Sequence, residues 1–400
     1  MHVLAAFDKF KDALPADRAC RVAAETISRV RPDWQVTEAP LADGGEGFAT
    51  ILTRAANGRI EALPVLGPRF AERRARLGFI PFGHLPPAAQ QTLGLDLADD
   101  ALLGVIELAQ ASGIEGLSPA EHDPWATSTY GTGECLAFAI EQGVGALLVG
   151  LGGSATSDLG TGALQALGLQ FLSADNRDLP RLTPGHWAEV DQLRGRLEHP
   201  GYPQGLPPLR IACDVNNPLL GPTGAAAVFG PQKGLKPEDF DAFDAAADRM
   251  ADRLLAHFDQ PASLKEEPGA GAAGGIAFGL RCAFPDSRLV PGFDLLTAWL
   301  DLDRKLDAAD CVLTGEGKWD ASSLHGKGPY AVLQAAVRKG VVSGQVFAGV
   351  VDPEGRDGLA ALNPAYGATQ LADPALPLGT NLAQTADRLA EAIQRWIETV

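Results

Sequence analysis

Short clusters of carboxylates, lysines and glycines recur along this sequence, most of them directly after a predicted β-strand. The first cluster, Asp8–Asp12, contains Asp8, Lys9 and Lys11 and follows the apolar run Val3–Phe7. A carboxylate beside an ammonium group suits a phosphate or a metal-bound phosphate, although a solvated approach to a helix has the same residue types. Because ligands of open α/β sheets bind beyond the carboxyl ends of the strands, this cluster is a candidate site.

A second cluster, Ala42–Gly47, has glycine at three of its last four positions. This density exceeds what packing requires and predicts that N–H groups around Gly44 and Gly45 approach a ligand. Asp43 and Glu46 would supply oxygen ligands or a base. The alternative interpretation is a tight turn that leads into a helix.

A third glycine-rich cluster, Gly150–Asp158, follows a buried strand and precedes a helix. Bare backbone at Gly152 and Gly153, the hydroxyl of Ser154 and a helix dipole are the components of a phosphate cradle. Asp158, at the end of the cluster, is a further candidate for substrate contact.

Three other segments are also candidates. Thr127–Glu134 opens a helix with hydroxyls, which fits an anion site or an ordinary N-cap. In Cys213–Leu219, Asp214 and Asn216 emerge from a strand and could hold Mg²⁺ or orient a hydroxyl, or form an Asx turn. Gly269–Gly275 matches G-x-G-x-x-G by letter, but a polar segment precedes it, so a flexible or ligand-facing loop is favoured over a dinucleotide site.

The last cluster, Thr314–Asp320, also ends a predicted strand. Glu316 and Asp320 could bind Mg²⁺, and the N–H groups around Gly315 could hold a phosphate. Lys327, at the start of a predicted helix, could meet phosphate oxygens. Phosphoryl transfer needs metal carboxylates, backbone cradles, a lysine on the phosphates and one base, and these clusters supply all of them.

Other chemistries lack their motifs. No Walker A loop is present, and no HExxH spacing predicts a zinc hydrolase. Ser154 is not in a G-x-S-x-G elbow, which disfavours acyl transfer. The seven histidines form no metal-like cluster in the sequence.

Composition narrows the class of protein further. The chain has 400 residues, 46% of them hydrophobic, and a net charge of −17, so we expect no nucleic-acid or anionic membrane partner. The length predicts two or three domains. No signal peptide is predicted at the start, and the longest apolar run is too short to span a bilayer. Five scattered cysteines without a CxxC pair indicate reduced thiols and a cytoplasmic protein.

Short apolar runs alternate with amphipathic segments, which predicts an α/β fold with mostly parallel sheets. The predicted strands are Val3–Phe7, Gln35–Ala39, Ile60–Val65, Leu103–Leu108, Ala146–Gly150, Leu209–Cys213, Cys311–Thr314 and Gln345–Val351. The predicted helices are Pro15–Val30, Tyr130–Glu141, Gly162–Leu167, Pro237–His257, Pro329–Lys339 and Leu382–Ile397. His84–Asp100 is interpreted as a surface insertion and Asp175–Pro208 as an irregular excursion.

These segments, in this order, resemble the type I glycerate kinase family of bacteria over nearly the whole chain. The resemblance rests on FDKFKDAL, PLADGGEGF, VIELAQASG, STYGTGE, GLGGSATSDLGTGALQALG, CDVNNPLLGPTGAAAVFGPQKG, GAGAAGGIAFG, LTGEGKWD and HGKGP. It implies ATP- and Mg²⁺-dependent phosphorylation of D-glycerate, with 2-phosphoglycerate as the favoured product. It also implies two α/β domains: a Rossmann-like domain of residues 1–62 and 296–400, an inserted domain of residues 63–295, and an active cleft between them.

Applied to this chain, the resemblance suggests roles for individual residues. Lys11 and Lys327 would neutralise phosphates, Glu316 and Asp320 would bind Mg²⁺, and Asp43 or Asp214 would act as the base. The carboxylate of glycerate would need a cation, for which Lys11, Arg281 and Arg288 are candidates. A kinase for another small hydroxy acid or sugar acid, and a non-catalytic nucleotide or metabolite sensor, are the alternatives.

The sequence also departs from the usual family pattern in three loops. Lys9 and Asp12 replace a serine and a glycine, and Ser157 and Leu159 replace an asparagine and a glycine. Ser322 and Ser323 stand where the family usually has glutamine and threonine.

Overall fold

The chain folds as two compact units. The computed structural model describes residues 1–197, 205–324 and 328–400. The first unit contains Met1–Asp43 and Leu296–Val400, and the second contains Gly44–Leu295, so the second is inserted into the sequence of the first. The sequence suggested residue 62 as the first boundary. Residues 44–62 belong to the second unit because the helix Phe48–Ala55 and the strand Arg59–Leu66 pack on strands of that unit.

Strands and helices alternate along the described residues. The strands are β1 (His2–Phe7), β2 (Gln35–Glu38), β3 (Arg59–Leu66), β4 (Glu72–Pro81), β5 (Leu102–Glu107), β6 (Ala146–Gly150), β7 (Gln170–Leu172), β8 (Gln192–Arg194), β9 (Leu209–Ala212), β10 (Ser287–Val290), β11 (Cys311–Trp319), β12 (Ser343–Val351) and β13 (Tyr366–Gln370). The α-helices are α1 (Ala16–Val30), α2 (Phe48–Ala55), α3 (Pro87–Leu93), α4 (Leu108–Ser112), α5 (Tyr130–Glu141), α6 (Thr161–Ala166), α7 (Ala225–Phe229), α8 (Phe240–Phe258), α9 (Ala272–Ala283), α10 (Gly292–Trp299), α11 (Leu302–Asp307), α12 (Gly328–Arg338), α13 (Pro353–Leu362), α14 (Leu378–Ala383) and α15 (Thr385–Ile397).

The first unit is built on a parallel sheet in the order β13-β12-β11-β1-β2. Numbered within the unit, this is the doubly wound order 2-1-3-4-5, in which ligands bind at the carboxyl ends of the strands where the winding reverses. The reversal lies here between β1 and β11. Helix α1 buries Ala19, Val22, Ala23 and Ile27 on one face and packs against α15.

The second unit is built on a sheet in the order β10-β9-β6-β5-β4-β3. β10, β9, β6 and β5 are parallel, whereas β4 pairs antiparallel with both β5 and β3. Helices α5, α6, α8 and α9 pack on one another beside this sheet. The mixed α/β class expected from the sequence is therefore confirmed.

The structure contains elements that the sequence analysis did not predict, among them β4 and α3. β4 was not predicted because its first half reads Glu-Arg-Arg-Ala-Arg. Glu72, Arg74 and Arg76 are exposed on one face, while Ala75 and Leu77 are buried on the other. The expected surface insertion at residues 84–100 contains α3, whose Ala89 and Leu93 are buried.

Among the described residues, no helix combines the length and the apolar character needed to cross a bilayer.

Candidate active site

Three carboxylates of the first unit lie where the winding of its sheet reverses. Asp8 follows β1, and the parallel register that pairs Phe7 with Gly315 places Asp8 beside Glu316 of β11. The Asp8 N–H donates to the Gly315 carbonyl oxygen at 2.9 Å. After β2 the chain stays beside β1, because the N–H groups of Ala39 and Leu41 donate to the carbonyl oxygens of Ala5 and Phe7. Asp43 is two residues further on. We call Asp8, Asp43 and Glu316 the acidic cluster.

The electrostatics of the acidic cluster follow from burial and like charge. Burial raises the pKa of Asp8 to about 7, and the negative charges of Asp43 and Glu316 add to the shift. Burial likewise raises the pKa of Glu316 to about 6, with smaller contributions from Asp320 and Asp43, while a hydrogen bond from Ser323 lowers it. Carboxylates held together in this way favour a proton or a cation among them.

Asp320 is also near this edge, but its oxygens already have partners. It forms an ion pair with Lys318 at 2.8 Å and accepts hydrogen bonds from the N–H and hydroxyl of Ser322. These contacts lower the pKa of Asp320 to about 2. Within residues 1–197, 205–324 and 328–400, no three His, Cys, Asp or Glu side chains form a group that could hold a metal ion by themselves.

The other candidates of the first unit are Lys11, Gly315 and Lys327. Lys11 is exposed, and its backbone nitrogen lies 3.3 Å from where a Cβ on Gly317 would be. Packing explains why residue 315 is glycine, because a Cβ there would lie 1.8 Å from the carbonyl oxygen of Phe347. Lys327 lies outside the described residues. Gly328 is the first residue of α12, and a Cβ added to it would lie 3.5 Å from Asp8 Oδ2. The N-terminus of α12 is therefore next to this carboxylate.

The raised pKa of Asp8 has a consequence for stability. A folded-state pKa of about 7 against an ordinary 3.8 means that the folded protein binds the proton more tightly, so this group costs stability as the pH rises through that interval. We expect Asp8→Asn to be more stable than the wild type by about 1–3 kcal/mol at pH 8, with the difference shrinking towards pH 4. Urea unfolding across that pH range measures it.

The matched control is Asp12→Asn, an exposed position in the same loop with a left-handed backbone that asparagine tolerates. Its unfolding free energy should follow that of the wild type at every pH. An Asp8→Asn protein that is no more stable than the wild type at pH 8 would contradict the burial of charge in the acidic cluster.

In the second unit, the two glycine-rich loops pack backbone against backbone. The Gly152 N–H donates to the Gly44 carbonyl oxygen at 2.9 Å, and a Cβ on Gly152 would lie 2.5 Å from the Cα of Gly45. A Cβ on Gly150 would lie 2.5 Å from the Gly44 oxygen. Packing therefore accounts for Gly150 and Gly152, whereas Gly44 and Gly47 have left-handed backbone with φ of 91° and 95°. Gly153 has a left-handed backbone, and its Cβ would lie 2.3 Å from Glu46 Oε1.

The first of these loops is fixed by a residue that the sequence analysis missed. Glu107, the last residue of β5, is buried, and its Oε2 accepts hydrogen bonds from the N–H groups of Gly47 and Ala49. This carboxylate satisfies donors that the first turn of α2 would otherwise leave unpaired. The signal available in the sequence was an acidic residue at the end of an apolar run, Leu102–Ile106.

Asp158 is fully buried and holds two helix N-termini. Its carboxylate accepts hydrogen bonds from the N–H and hydroxyl of Thr129 at 2.8 and 2.9 Å, and from the N–H groups of Gly160 and Gly162 at 3.1 Å. Thr129 precedes α5 and Gly160 precedes α6. Burial raises the pKa of Asp158, while these hydrogen bonds lower it. The geometry supports a structural role for Asp158 in place of the substrate contact that the sequence suggested.

The remaining candidates of the second unit follow β9. Both oxygens of Asp214 accept the Phe293 N–H in the first turn of α10, at 3.4 and 3.2 Å, and Asn216 is exposed. Of the two arginine candidates, Arg281 is paired with Glu267, and Arg288 is exposed.

The segment 269–275 is mostly buried. Ala270 and Ala272 are buried, and residues 273–275 have left-handed backbone at the start of α9. The carbonyl oxygen of Gly274 accepts the N–H of Leu159, so this segment supports the loop Gly150–Asp158. The expectation of a ligand-facing loop was wrong because the glycines here admit a neighbouring backbone.

Two of the departures from the family pattern occur at residues with left-handed backbone. Asp12 and Leu159 replace the glycines usual in the family that the sequence resembles, and both have left-handed backbone with φ of 58° and 55°. This conformation costs a non-glycine residue roughly 1–2 kcal/mol, less for aspartate. The loops therefore keep the geometry for which glycine is suited.

Comparisons with known proteins agree with these observations. The model of the Glycerate kinase family matches residues 3–400. A glycerate kinase of Halalkalibacterium halodurans is 34% identical over 409 aligned positions, covering 98% of each chain. A glycerate 2-kinase of Escherichia coli is 32% identical over 342 positions, covering 84% of this chain and 82% of the relative.

A solved structure shows the same likeness in three dimensions. The crystal structure assigned to glycerate kinase 2 of Salmonella typhimurium matches with a TM-score of 0.73 at 30% identity, covering 100% of this chain and 98% of that one. The likeness extends over both units.

Proposed function

This chain is an enzyme of the glycerate kinase family, and we propose that it transfers the γ-phosphoryl group of ATP to a hydroxyl of D-glycerate with the help of Mg²⁺. The observation that carries the proposal is the acidic cluster, in which Asp8 directly follows β1 and lies beside Glu316 of β11. This is where the winding of the sheet reverses and where a doubly wound sheet binds its ligand. Buried carboxylates with raised pKa values are unfavourable for stability and are common at functional sites.

The acidic cluster offers the carboxylate oxygens that Mg²⁺ prefers as ligands. Glu316 Oε1 is buried and has no hydrogen-bond partner among the residues that the structure describes. Mg²⁺ is usually held by one or two carboxylates together with substrate phosphates and water, so a full cage of protein ligands is not needed. Glu316 and Asp8 would hold the ion. Asp320 would bind it only if its ion pair with Lys318 were broken. The bound ion would neutralise charge on the transferred group.

Asp43 is the stronger candidate for the base. It is exposed, and it lies in the electrostatic field of Asp8 and Glu316. Asp214 is partly occupied by the first turn of α10. Asp43 would accept the proton of the attacking hydroxyl, Lys11 would meet the phosphates from its exposed position, and Ser154 with its loop would donate hydrogen bonds to a substrate.

The favoured product is 2-phosphoglycerate. Support comes from the Escherichia coli relative, which is named a glycerate 2-kinase. The product depends on which hydroxyl of glycerate faces the γ-phosphoryl group.

One experiment tests the reaction and its product together. We expect purified protein with ATP, Mg²⁺ and D-glycerate to release ADP in a coupled assay, and phosphorus NMR to show the signal of 2-phosphoglycerate. Omission of glycerate is the control. Appearance of 3-phosphoglycerate would correct the product alone, whereas faster turnover of another hydroxy acid or sugar acid would correct the substrate. Binding of ATP without any transfer of labelled phosphate would favour a sensor.

A further inference from the structure

The ammonium group of Lys233 is buried inside the second unit. Lys233 is 2% exposed, and its Nζ donates hydrogen bonds to Ser154 Oγ and to the carbonyl oxygen of Thr156, both at 2.7 Å. Both acceptors belong to the loop Gly150–Asp158. The sequence analysis did not select this lysine, because no pattern in the Pro-Gln-Lys-Gly segment signals burial.

The backbone around Lys233 holds the ammonium in place. The Lys233 N–H donates to the Gly230 carbonyl oxygen, just after α7. Gly234 has left-handed backbone, and a Cβ there would lie 2.2 Å from the carbonyl oxygen of His122. The lysine thus reaches the loop from a short, well-defined turn.

A buried ammonium is expensive to maintain. Burial lowers the pKa of Lys233 to about 7, although the charge of Asp158 opposes the shift. Asp158 already accepts four hydrogen bonds from elsewhere. An apolar side chain of similar volume is often neutral or stabilising at such a site, so stability alone does not account for a lysine here.

The direction of the hydrogen bond to Ser154 indicates what the lysine does. An ammonium can only donate, so Ser154 Oγ accepts from it and must direct its own hydrogen elsewhere. Among the residues that the structure describes, no hydrogen bond donated by Ser154 Oγ is found. Ser154 is 9% exposed, at the position that the sequence analysis assigned to the phosphate cradle. A cation on the oxygen also makes a hydroxyl a stronger donor.

We propose that Lys233 is a positioning residue that acts through Ser154: it fills the acceptor site of the serine oxygen and thereby presents the serine hydrogen to an anionic oxygen of a bound substrate. The proposal rests on the proposed kinase function, in which Ser154 donates a hydrogen bond to the substrate. It adds one role: Lys233 orients the Ser154 hydroxyl without touching the substrate.

A double-mutant cycle tests this coupling. Ser154→Ala, Lys233→Met and the double variant are assayed for kcat and for KM of ATP and of glycerate. We expect each single change to lower kcat/KM by roughly 10- to 1000-fold, the range found when one donor to a reacting anion is removed. The double variant should be no worse than the more impaired single variant, because the two residues act as one unit.

Two further proteins control the cycle. Lys236→Met removes an exposed lysine three residues away and should keep wild-type kcat/KM. Lys233→Gln keeps an N–H donor and should retain more activity than Lys233→Met; it also replaces that variant in the cycle if the methionine protein does not fold. The KM that rises identifies the substrate whose anionic oxygen the serine contacts.

Three outcomes would overturn the proposal: wild-type kcat/KM in Ser154→Ala, losses that multiply in the double variant, or equal activity of the glutamine and methionine variants. Failure of the proposed function is separate, because it would appear as a wild-type enzyme that does not phosphorylate glycerate. In that case the wild type, the two single variants and the double variant are compared by calorimetric titration with ATP, and equal affinities would overturn the proposal.

Discussion

Asp43→Asn is expected to lower kcat by about 10²–10⁴-fold at saturating substrates and Mg²⁺, which is the usual contribution of a positioned base. Asparagine keeps the size of the side chain but cannot take the proton of the attacking hydroxyl. It also removes a negative charge that raises the pKa values of Asp8 and Glu316. Steady-state kinetics over a range of pH values, with Mg²⁺ titrated at each of them, measure both the loss of the base and the change in the pKa values.

The Mg²⁺ titration separates two roles for Asp43. Loss of a base lowers kcat at every Mg²⁺ concentration, whereas loss of a metal ligand raises the Mg²⁺ concentration needed for half-maximal activity. Asp214→Asn is the comparison variant, and we expect it mainly to weaken the start of α10, where Asp214 accepts the Phe293 N–H. If neither variant loses at least about tenfold in kcat, the base lies elsewhere.

Gly274→Ala is expected to destabilise the protein by about 3–5 kcal/mol, a large fraction of the stability of an ordinary domain. The new Cβ would lie 2.1 Å from the carbonyl oxygen of Thr156 and 2.4 Å from the Cα of Ser157. Both atoms belong to backbone that cannot move without disturbing the contacts of Lys233 and Asp158. Urea unfolding gives the free energy.

Gly143→Ala is a matched control for this change. Gly143 has nearly the same left-handed φ as Gly274, 72° against 73°, but a Cβ there meets nothing within 4 Å. It should therefore show only the backbone cost, about 1–2 kcal/mol. Equal losses in the two variants would mean that the start of α9 does not support the loop Gly150–Asp158.

The features that could be predicted from the sequence are those set by local patterns. Strands such as β6 and helices such as α5 follow from apolar periodicity within a few residues, and both were predicted with the bounds that the structure has. The position of Asp8 follows from the rule that ligands bind at the carboxyl ends of parallel strands, whereas Glu316, expected beyond the strand Cys311–Thr314, lies within β11. These inferences need no knowledge of which strands are neighbours.

The features that could not be predicted depend on long-range contacts. Gly44 and Gly152 are far apart in sequence, and only the folded sheet brings their backbones together. Lys233 and Asp158 have the residue types of surface or substrate-binding groups, yet both are buried against polar partners. A single sequence reports which side chains can do chemistry, but it does not report whether those side chains face a ligand or another part of the protein.

The central strand of the first unit also has a consequence for synthesis on the ribosome. β1 is almost entirely apolar and pairs with β2, which follows it directly, and with β11, which begins at Cys311. At ordinary elongation rates, the nascent chain exposes one edge of β1 for a time on the order of tens of seconds before its second neighbour is translated. The inserted unit can fold during this interval, whereas the N-terminal strand must be kept from aggregating, a task suited to a chaperone that binds short extended apolar segments.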